Sequence, residues 1–166
     1  MDPALYARAE AVLRACRAAG LTLATAESCT GGLVAGALTA IPGSSDVVDR
    51  GFVTYSNAAK VAMLGVSEAT LAAFGAVSEQ TAREMARGAL TAAGTGLAVS
   101  ITGVAGPGGG SAEKPVGLVH FACARQDGVV RHREMRFGAL GREEIRLRSV
   151  AVALDMLSDL AGTATL

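Results

Sequence analysis

Three separated stretches of the chain carry residue types that could do chemistry together. The first is Ala26-Glu27-Ser28-Cys29-Thr30-Gly31-Gly32. Apolar residues precede it and a helical pattern follows, so Ser28 falls at a strand-to-helix junction. A serine there can attack a carbonyl while backbone N–H groups of Thr30, Gly31 and Gly32 hold the developing oxyanion. Glycines let a ligand approach the backbone, and a helix N-terminus favours negative charge. The same pattern also describes a plain helix cap, since Ser and Thr are preferred there. Cys29 is a rival nucleophile, although a lone cysteine is more commonly a small buried residue and no activating histidine stands beside it.

The second stretch is Tyr55-Ser56-Asn57-Ala58-Ala59-Lys60. A lysine held in an apolar pocket loses its proton near neutrality and can act as a base. Such a base is needed, because the chain has two histidines. Both His120 and His132 fall in predicted strands, and alternation does not decide whether either reaches a cleft. The plain alternatives are a solvated Lys60 and a Tyr55 used for packing.

The third stretch is Ile101-Thr102-Gly103-Val104-Ala105-Gly106-Pro107-Gly108-Gly109-Gly110. A strand runs into a glycine cluster whose backbone donors could hold a phosphate or carboxylate. It matches neither G-x-x-x-x-G-K-[ST] nor a clean G-x-G-x-x-G followed by a helix, and a surface loop explains it equally well. Downstream, Arg142 could bind a phosphate through two donors, or lie on the surface. Arg146 and Arg148 read as solvated or paired with Glu143 and Glu144.

The elements that must position these residues can be read from periodicity and punctuation. Asp2-Pro3 opens a helix that Gly20 ends. Leu21–Ala26 is a short buried strand, followed by a helix from about Thr30 to Thr39 that Pro42-Gly43 stops. Val47–Tyr55 is a second strand, and Ser56-Asn57 opens a helix containing Lys60. A short helix starts at Ser67 and a longer one at Ser78, running to about Ala93 before Gly94. Leu97–Thr102 is a third strand, and residues 103–115 form a Gly- and Pro-rich loop. Gly117–Arg125 and Val129–Phe137 flank Gln126-Asp127-Gly128, a hairpin signal. A last helix spans about Gly141–Leu160. Strands alternating with helices predict an α/β fold. We expect a single three-layer α/β/α domain over residues 1–166, with a mixed sheet, helices on both faces and a β-hairpin in the C-terminal half.

Composition narrows the function classes. Lys+Arg and Asp+Glu each total 15, so the formal net charge is zero and nothing global favours nucleic acid or an anionic membrane. Hydrophobic residues make up 51% but aromatics only 4%, so Ala, Val, Leu and Ile build the core. Cys16, Cys29 and Cys123 form no C-x-x-C pair, which argues against a disulfide framework and a zinc site. The N-terminus lacks a signal-peptide pattern, and no apolar run reaches membrane-spanning length. A cytoplasmic protein without metal or cofactor is the expectation.

Six stretches in this order resemble the C-terminal domain of the competence/damage-inducible CinA family. They are residues 26–32, Ile41-Pro42-Gly43-Ser44-Ser45, residues 55–60, Gly75-Ala76-Val77-Ser78-Glu79, residues 101–109 and Glu113-Lys114-Pro115-Val116-Gly117. Enzymatic members of that family are nicotinamide-nucleotide amidases. The resemblance implies hydrolysis of the carboxamide of nicotinamide mononucleotide, with Ser28 as nucleophile and Lys60 and Tyr55 as its partners. It also implies that Thr102, Gly103, Ala105 and Gly106 border the ligand, that Arg142 lies on the phosphate side, and that the protein is a homo-oligomer. A non-catalytic nucleotide-binding module and a Ser–Lys amidase for another small amide are the alternatives.

Overall fold

A computed structural model describes residues 1–164. It contains six α-helices and five strands among the described residues. Helix α1 (Pro3–Ala19) starts where the sequence demands: the Asp2 carboxylate accepts from the Ala4 and Leu5 amides, Pro3 occupies the first turn, and Gly20 closes the helix at φ 68°. Strand β1 (Leu23–Glu27) follows, then α2 (Leu33–Thr39), β2 (Val48–Val53), α3 (Asn57–Leu64), α4 (Glu68–Phe74), α5 (Glu79–Ala93), β3 (Leu97–Gly103), β4 (Leu118–Arg125), β5 (Val130–Arg136) and α6 (Arg142–Gly162). Ser56, Ser67 and Ser78 cap α3, α4 and α5 through their hydroxyls.

The sheet has the order β2-β1-β3-β4-β5. β1 pairs parallel with β2 and with β3, while β3–β4 and β4–β5 are antiparallel. The sheet is therefore mixed, and the β4–β5 hairpin turns through residues 126–128 with Gly128 at φ 95°. One face meets α1, α2 and α6 through a core that includes Leu23, Val99, Ile101, Phe121, Leu154 and Leu157. The other face meets α5 through small side chains, among them Ala98, Ala122 and Ala124 opposite Ala82, Ala86 and Ala89. Alternation along β3 thus sends branched side chains to one layer and small ones to the other, which lets α5 approach closely.

Three boundaries differ from the sequence expectation. β1 begins two residues later and includes Glu27. α2 begins at Leu33, not Thr30, because residues 28–32 form a turn with Gly31 at φ 59° and Gly32 at φ 102°. β2 ends at Val53, leaving Thr54 and Tyr55 in the connection to α3. A short 3₁₀ turn at Ser44–Asp46 was not visible in the periodicity.

Because β1 connects to β2 on one side and lies beside β3 on the other, a crevice opens at the carboxyl ends of β1 and β3. Open α/β sheets bind ligands at such a switch point.

Candidate active site

The three stretches meet at that crevice. The Ser28 amide donates to the Ile101 carbonyl at 3.0 Å and the Thr54 amide to the Glu27 carbonyl at 2.9 Å, so the ends of β3, β1 and β2 are tied side by side. Ser28 stands in the middle of this arrangement.

Glu27 shapes the turn that carries Ser28. Its side chain is fully buried, and its two oxygens accept from the Val34 and Ala35 amides at 2.9 and 3.0 Å. A carboxylate at a helix N-terminus satisfies orphan donors and complements the dipole. The N-terminus of α2 is thereby capped from within the protein. Sequence pattern gives Glu27 no role, since a cap reaching forward from a strand leaves no signature at the N-cap position, here Gly32.

Lys60 reaches the serine from α3. It occupies the inward face with Leu64, one turn on, and is only 1% exposed. Its Nζ lies 3.0 Å from Ser28 Oγ and 2.7 Å from the Thr54 carbonyl oxygen. Burial holds the Lys60 pKa below the ordinary lysine value, because the charged form is poorly solvated there. Among the described residues no carboxylate forms an ion pair with it.

Cys29, by contrast, is buried, and desolvation pushes its thiol up to about 11. The thiolate needed for attack is disfavoured at neutral pH. The histidines also fall elsewhere: His120 Nδ1 and His132 Nε2 are 2.9 Å apart, and His132 Nδ1 lies 3.1 Å from Glu79. Neither borders the crevice.

The crevice is a cavity of about 310 Å³. Ser28, Lys60, Tyr55, Thr102, Gly103, Ala105, Gly106 and Arg142 line it, together with Cys29, Asn57, Ala76, Val77 and the loop residues Val104, Gly108 and Gly109. Thr30, Gly31 and Gly32 do not. Thr30 is fully buried, and the two glycines turn the chain into α2 behind the serine. The three anticipated backbone donors therefore stand away from the cavity; the residue after Ser28 that does border it is Cys29, to which the sequence pattern gives no such role.

Tyr55 and Arg142 form the mouth. Tyr55 is 61% exposed, and its hydroxyl accepts from Arg142 Nη2 at 2.9 Å, while Arg142 Nη1 donates to the Gly106 carbonyl at 2.8 Å. Tyr55 is thus bonded to the arginine across the mouth and not to Lys60. The Thr102 hydroxyl donates to the Ala76 carbonyl at 2.8 Å, tying β3 to the segment before α5. Among the described residues the lining includes the Arg142 guanidinium and no carboxylate, a balance that suits an anionic ligand. Asn57 and the Ala76-Val77 pair are lining residues to which sequence pattern gives no role; Asn57 lies inside the Tyr55–Lys60 stretch, and Ala76-Val77 inside one of the six matching stretches.

The sequence profile of the CinA C-terminal domain matches residues 5–161. The chain belongs to the CinA C-terminal domain family. It is 56% identical over 140 residues to the nicotinamide-nucleotide amidohydrolase PncC of Enterobacter agglomerans, covering 84% of this chain and 85% of that protein. It is 54% identical over 158 residues to the protein of the same name from Escherichia coli K12, with 94% of each covered. Among solved structures it resembles the competence/damage inducible protein CihA from Agrobacterium tumefaciens, with a TM-score of 0.94, 57% identity, and 96% and 97% of the two chains covered. The fold of this CinA-family chain is accordingly the one its structural relatives share.

Proposed function

We propose that this CinA-family chain is an amidohydrolase that converts nicotinamide mononucleotide to nicotinic acid mononucleotide and ammonia, with Ser28 as nucleophile and Lys60 as general base. The observation that carries this reading is the 3.0 Å contact between Lys60 Nζ and Ser28 Oγ at the wall of the cavity. The substrate comes from the relatives, which share more than half of their aligned residues with this chain and are named for that activity.

Neutral Lys60 has one lone pair and two N–H bonds. One N–H is held by the Thr54 carbonyl, and the lone pair accepts the Ser28 hydroxyl proton. Ser28 Oγ then bonds to the carboxamide carbon, and the carbonyl electrons move to oxygen, where backbone N–H donation stabilises the charge. The Lys60 ammonium returns the proton to the amide nitrogen as the C–N bond breaks, releasing ammonia and leaving an ester on Ser28. Water attacks that ester, Lys60 takes the water's proton, and the acid product departs as the proton returns to Ser28 Oγ. Arg142, with donors beyond those given to Tyr55 and Gly106, receives the phosphate at the mouth, and Tyr55 holds that guanidinium in place. Thr102 and the Gly103–Gly106 strip border the bound nucleotide.

A cytoplasmic setting belongs to the same proposal. The three cysteines are free, which fits a reducing compartment, and no helix among the described residues is long and apolar enough to cross a membrane. So does a homo-oligomer: α4 has no fully buried side chain, Leu71 being only partly covered by the core, and Met63 and Phe74 are exposed. Light scattering on the purified protein tests this.

The decisive experiment is ammonia release from nicotinamide mononucleotide and from its dephosphorylated riboside. Wild type should act on the nucleotide, Ser28→Ala should not, and Arg142→Ala should lose the preference for the phosphorylated form. Binding of the nucleotide without ammonia release would favour a non-catalytic module instead.

A further inference from the structure

Arg146 stands one helical turn beyond Arg142 on α6, but it does not line the cavity and bonds instead to the serine turn itself. Its Nε donates to the Cys29 carbonyl at 3.0 Å and its Nη2 to the Thr30 carbonyl at 3.2 Å. Among the described residues no carboxylate pairs with this guanidinium. A half-buried arginine spent on two backbone carbonyls, 116 and 117 residues away in sequence, has a directional effect on those peptides.

The effect can be followed bond by bond. The peptide between Thr30 and Gly31 is trans, so its N–H points opposite to the carbonyl that Arg146 holds. That N–H, on Gly31, donates to the Ser28 carbonyl at 3.1 Å. The Ser28 carbonyl in turn belongs to the trans peptide whose N–H is on Cys29, the residue after the nucleophile and one that borders the cavity. The chain therefore runs from the guanidinium through two peptide groups to the donor beside Ser28 Oγ. Each hydrogen bond polarises the next, so a cation at the far end strengthens donation at the near end. The turn is built to allow this. Gly31 adopts φ +59°, and a Cβ there would lie 3.4 Å from Arg146 Nη2.

We infer that Arg146 is a positioning residue for the reaction, aiming and polarising the Cys29 N–H as the oxyanion donor through the Thr30–Gly31 and Ser28–Cys29 peptides. The inference rests on Ser28 being the nucleophile, and it gives the two arginines of α6 different roles. Arg142 serves ligand binding and Arg146 serves turnover.

The test compares Arg146→Met and Arg146→Lys with wild type in two readouts. With nicotinamide mononucleotide, kcat should fall by about tenfold or more in Arg146→Met with KM nearly unchanged, since a weakened oxyanion donor acts on the transition state. Arg146→Lys, which keeps a cation but can serve one carbonyl well, should recover part of that loss. In ¹⁵N-labelled protein without substrate, the Cys29 amide proton should move upfield in Arg146→Met and partly return in Arg146→Lys. A raised KM with unchanged kcat would overturn the assignment, and so would a lowered Tm with normal kcat per folded molecule or an unmoved Cys29 resonance. If wild type releases no ammonia from the nucleotide, the substrate reading has failed, while the amide resonance still decides the role of Arg146.

Discussion

Ser28 Oγ and Lys60 Nζ are 32 residues apart in sequence and 3.0 Å apart in space, and no ion pair accompanies the lysine among the described residues. An ammonium without a carboxylate, buried to this degree, is held away from its ordinary ionisation. The burial that makes Lys60 a base thus also costs stability.

The first prediction concerns that base. Lys60→Ala should lower ammonia release by about 10²–10⁴-fold, the usual contribution of general base catalysis. Lys60→Arg should be as inactive, because a guanidinium does not give up its proton. In wild type the active form is the neutral amine, so kcat/KM should climb as pH rises through the depressed Lys60 pKa. This ascending limb lies below the 10.5 of an ordinary lysine. A pH profile with no ascending limb, or an active Lys60→Arg, would sink the assignment.

The cost to stability gives a second prediction. The folded state disfavours the Lys60 ammonium, so between its depressed pKa and the ordinary value the unfolded chain binds more protons and stability rises with pH. Lys60→Met keeps the length and removes the amine. It should abolish activity yet stabilise the fold by about 1 kcal/mol, roughly 2–4 °C in Tm for a domain of this size. A thermal melt at neutral pH checks it, and a lower Tm would contradict it.

How much of this could be read from the sequence depends on how local the cause is. The Asp2-Pro3 start and Gly20 stop of α1 are local, and so is the Asp127-Gly128 hairpin; both are found where pattern places them. That Lys60 lies on a helix is local as well. That it faces inward is not, because α3 packs on α5 and only that packing selects its buried face. α2 starts three residues past the Thr30 that local pattern favours, because its cap is Glu27, seven and eight residues before the amides it serves. Arg146 read as a surface partner for acidic neighbours because its actual partners are backbone carbonyls, which carry no residue-type signal.

Glu27 supplies a third prediction. Its carboxylate holds the Val34 and Ala35 amides in a fully buried setting, and hydrogen bonds to a charged group contribute about 1.5–3 kcal/mol each. Glu27→Ala leaves both donors orphaned and should lower stability by about 2–4 kcal/mol. Glu27→Gln retains one acceptor and should lose less. Denaturant unfolding orders the three proteins, and equal midpoints would show that the cap contributes nothing.

The paired histidines predict an acid limit. Burial holds both His120 and His132 below the ordinary 6.5, and the charge of His132 adds to the effect on His120, against the opposing pull of Glu79 and Glu134. Lys114 on one side and Arg83 on the other push the same way as burial. The fold therefore favours the neutral rings. Their contribution is fully present above 6.5 and declines as pH falls from there towards the depressed values. His132→Gln should flatten the loss of Tm between about pH 6.5 and 5. A variant as steep as wild type would remove the histidine pair as the cause.

The last prediction lies away from the cavity, where α5 crosses α3. A Cβ on Gly88 would sit 1.9 Å from the Leu64 carbonyl oxygen, a backbone atom at the end of the helix that carries Lys60. Gly88→Ala must push α3 outward, which overpacking data put at about 1–3 kcal/mol. The displacement should also pull Lys60 Nζ from Ser28 Oγ, because α3 moves as a unit. Activity should fall severalfold with KM little changed. Gly36→Ala is the matched control: Gly36 is helical, and nothing lies within 4 Å of its Cβ position. That substitution should stabilise by about 0.5–1 kcal/mol through helix propensity and leave turnover intact. Melts and ammonia release on both variants separate the effects. Equal turnover in the two would mean that the α3–α5 crossing does not set the Lys60–Ser28 distance.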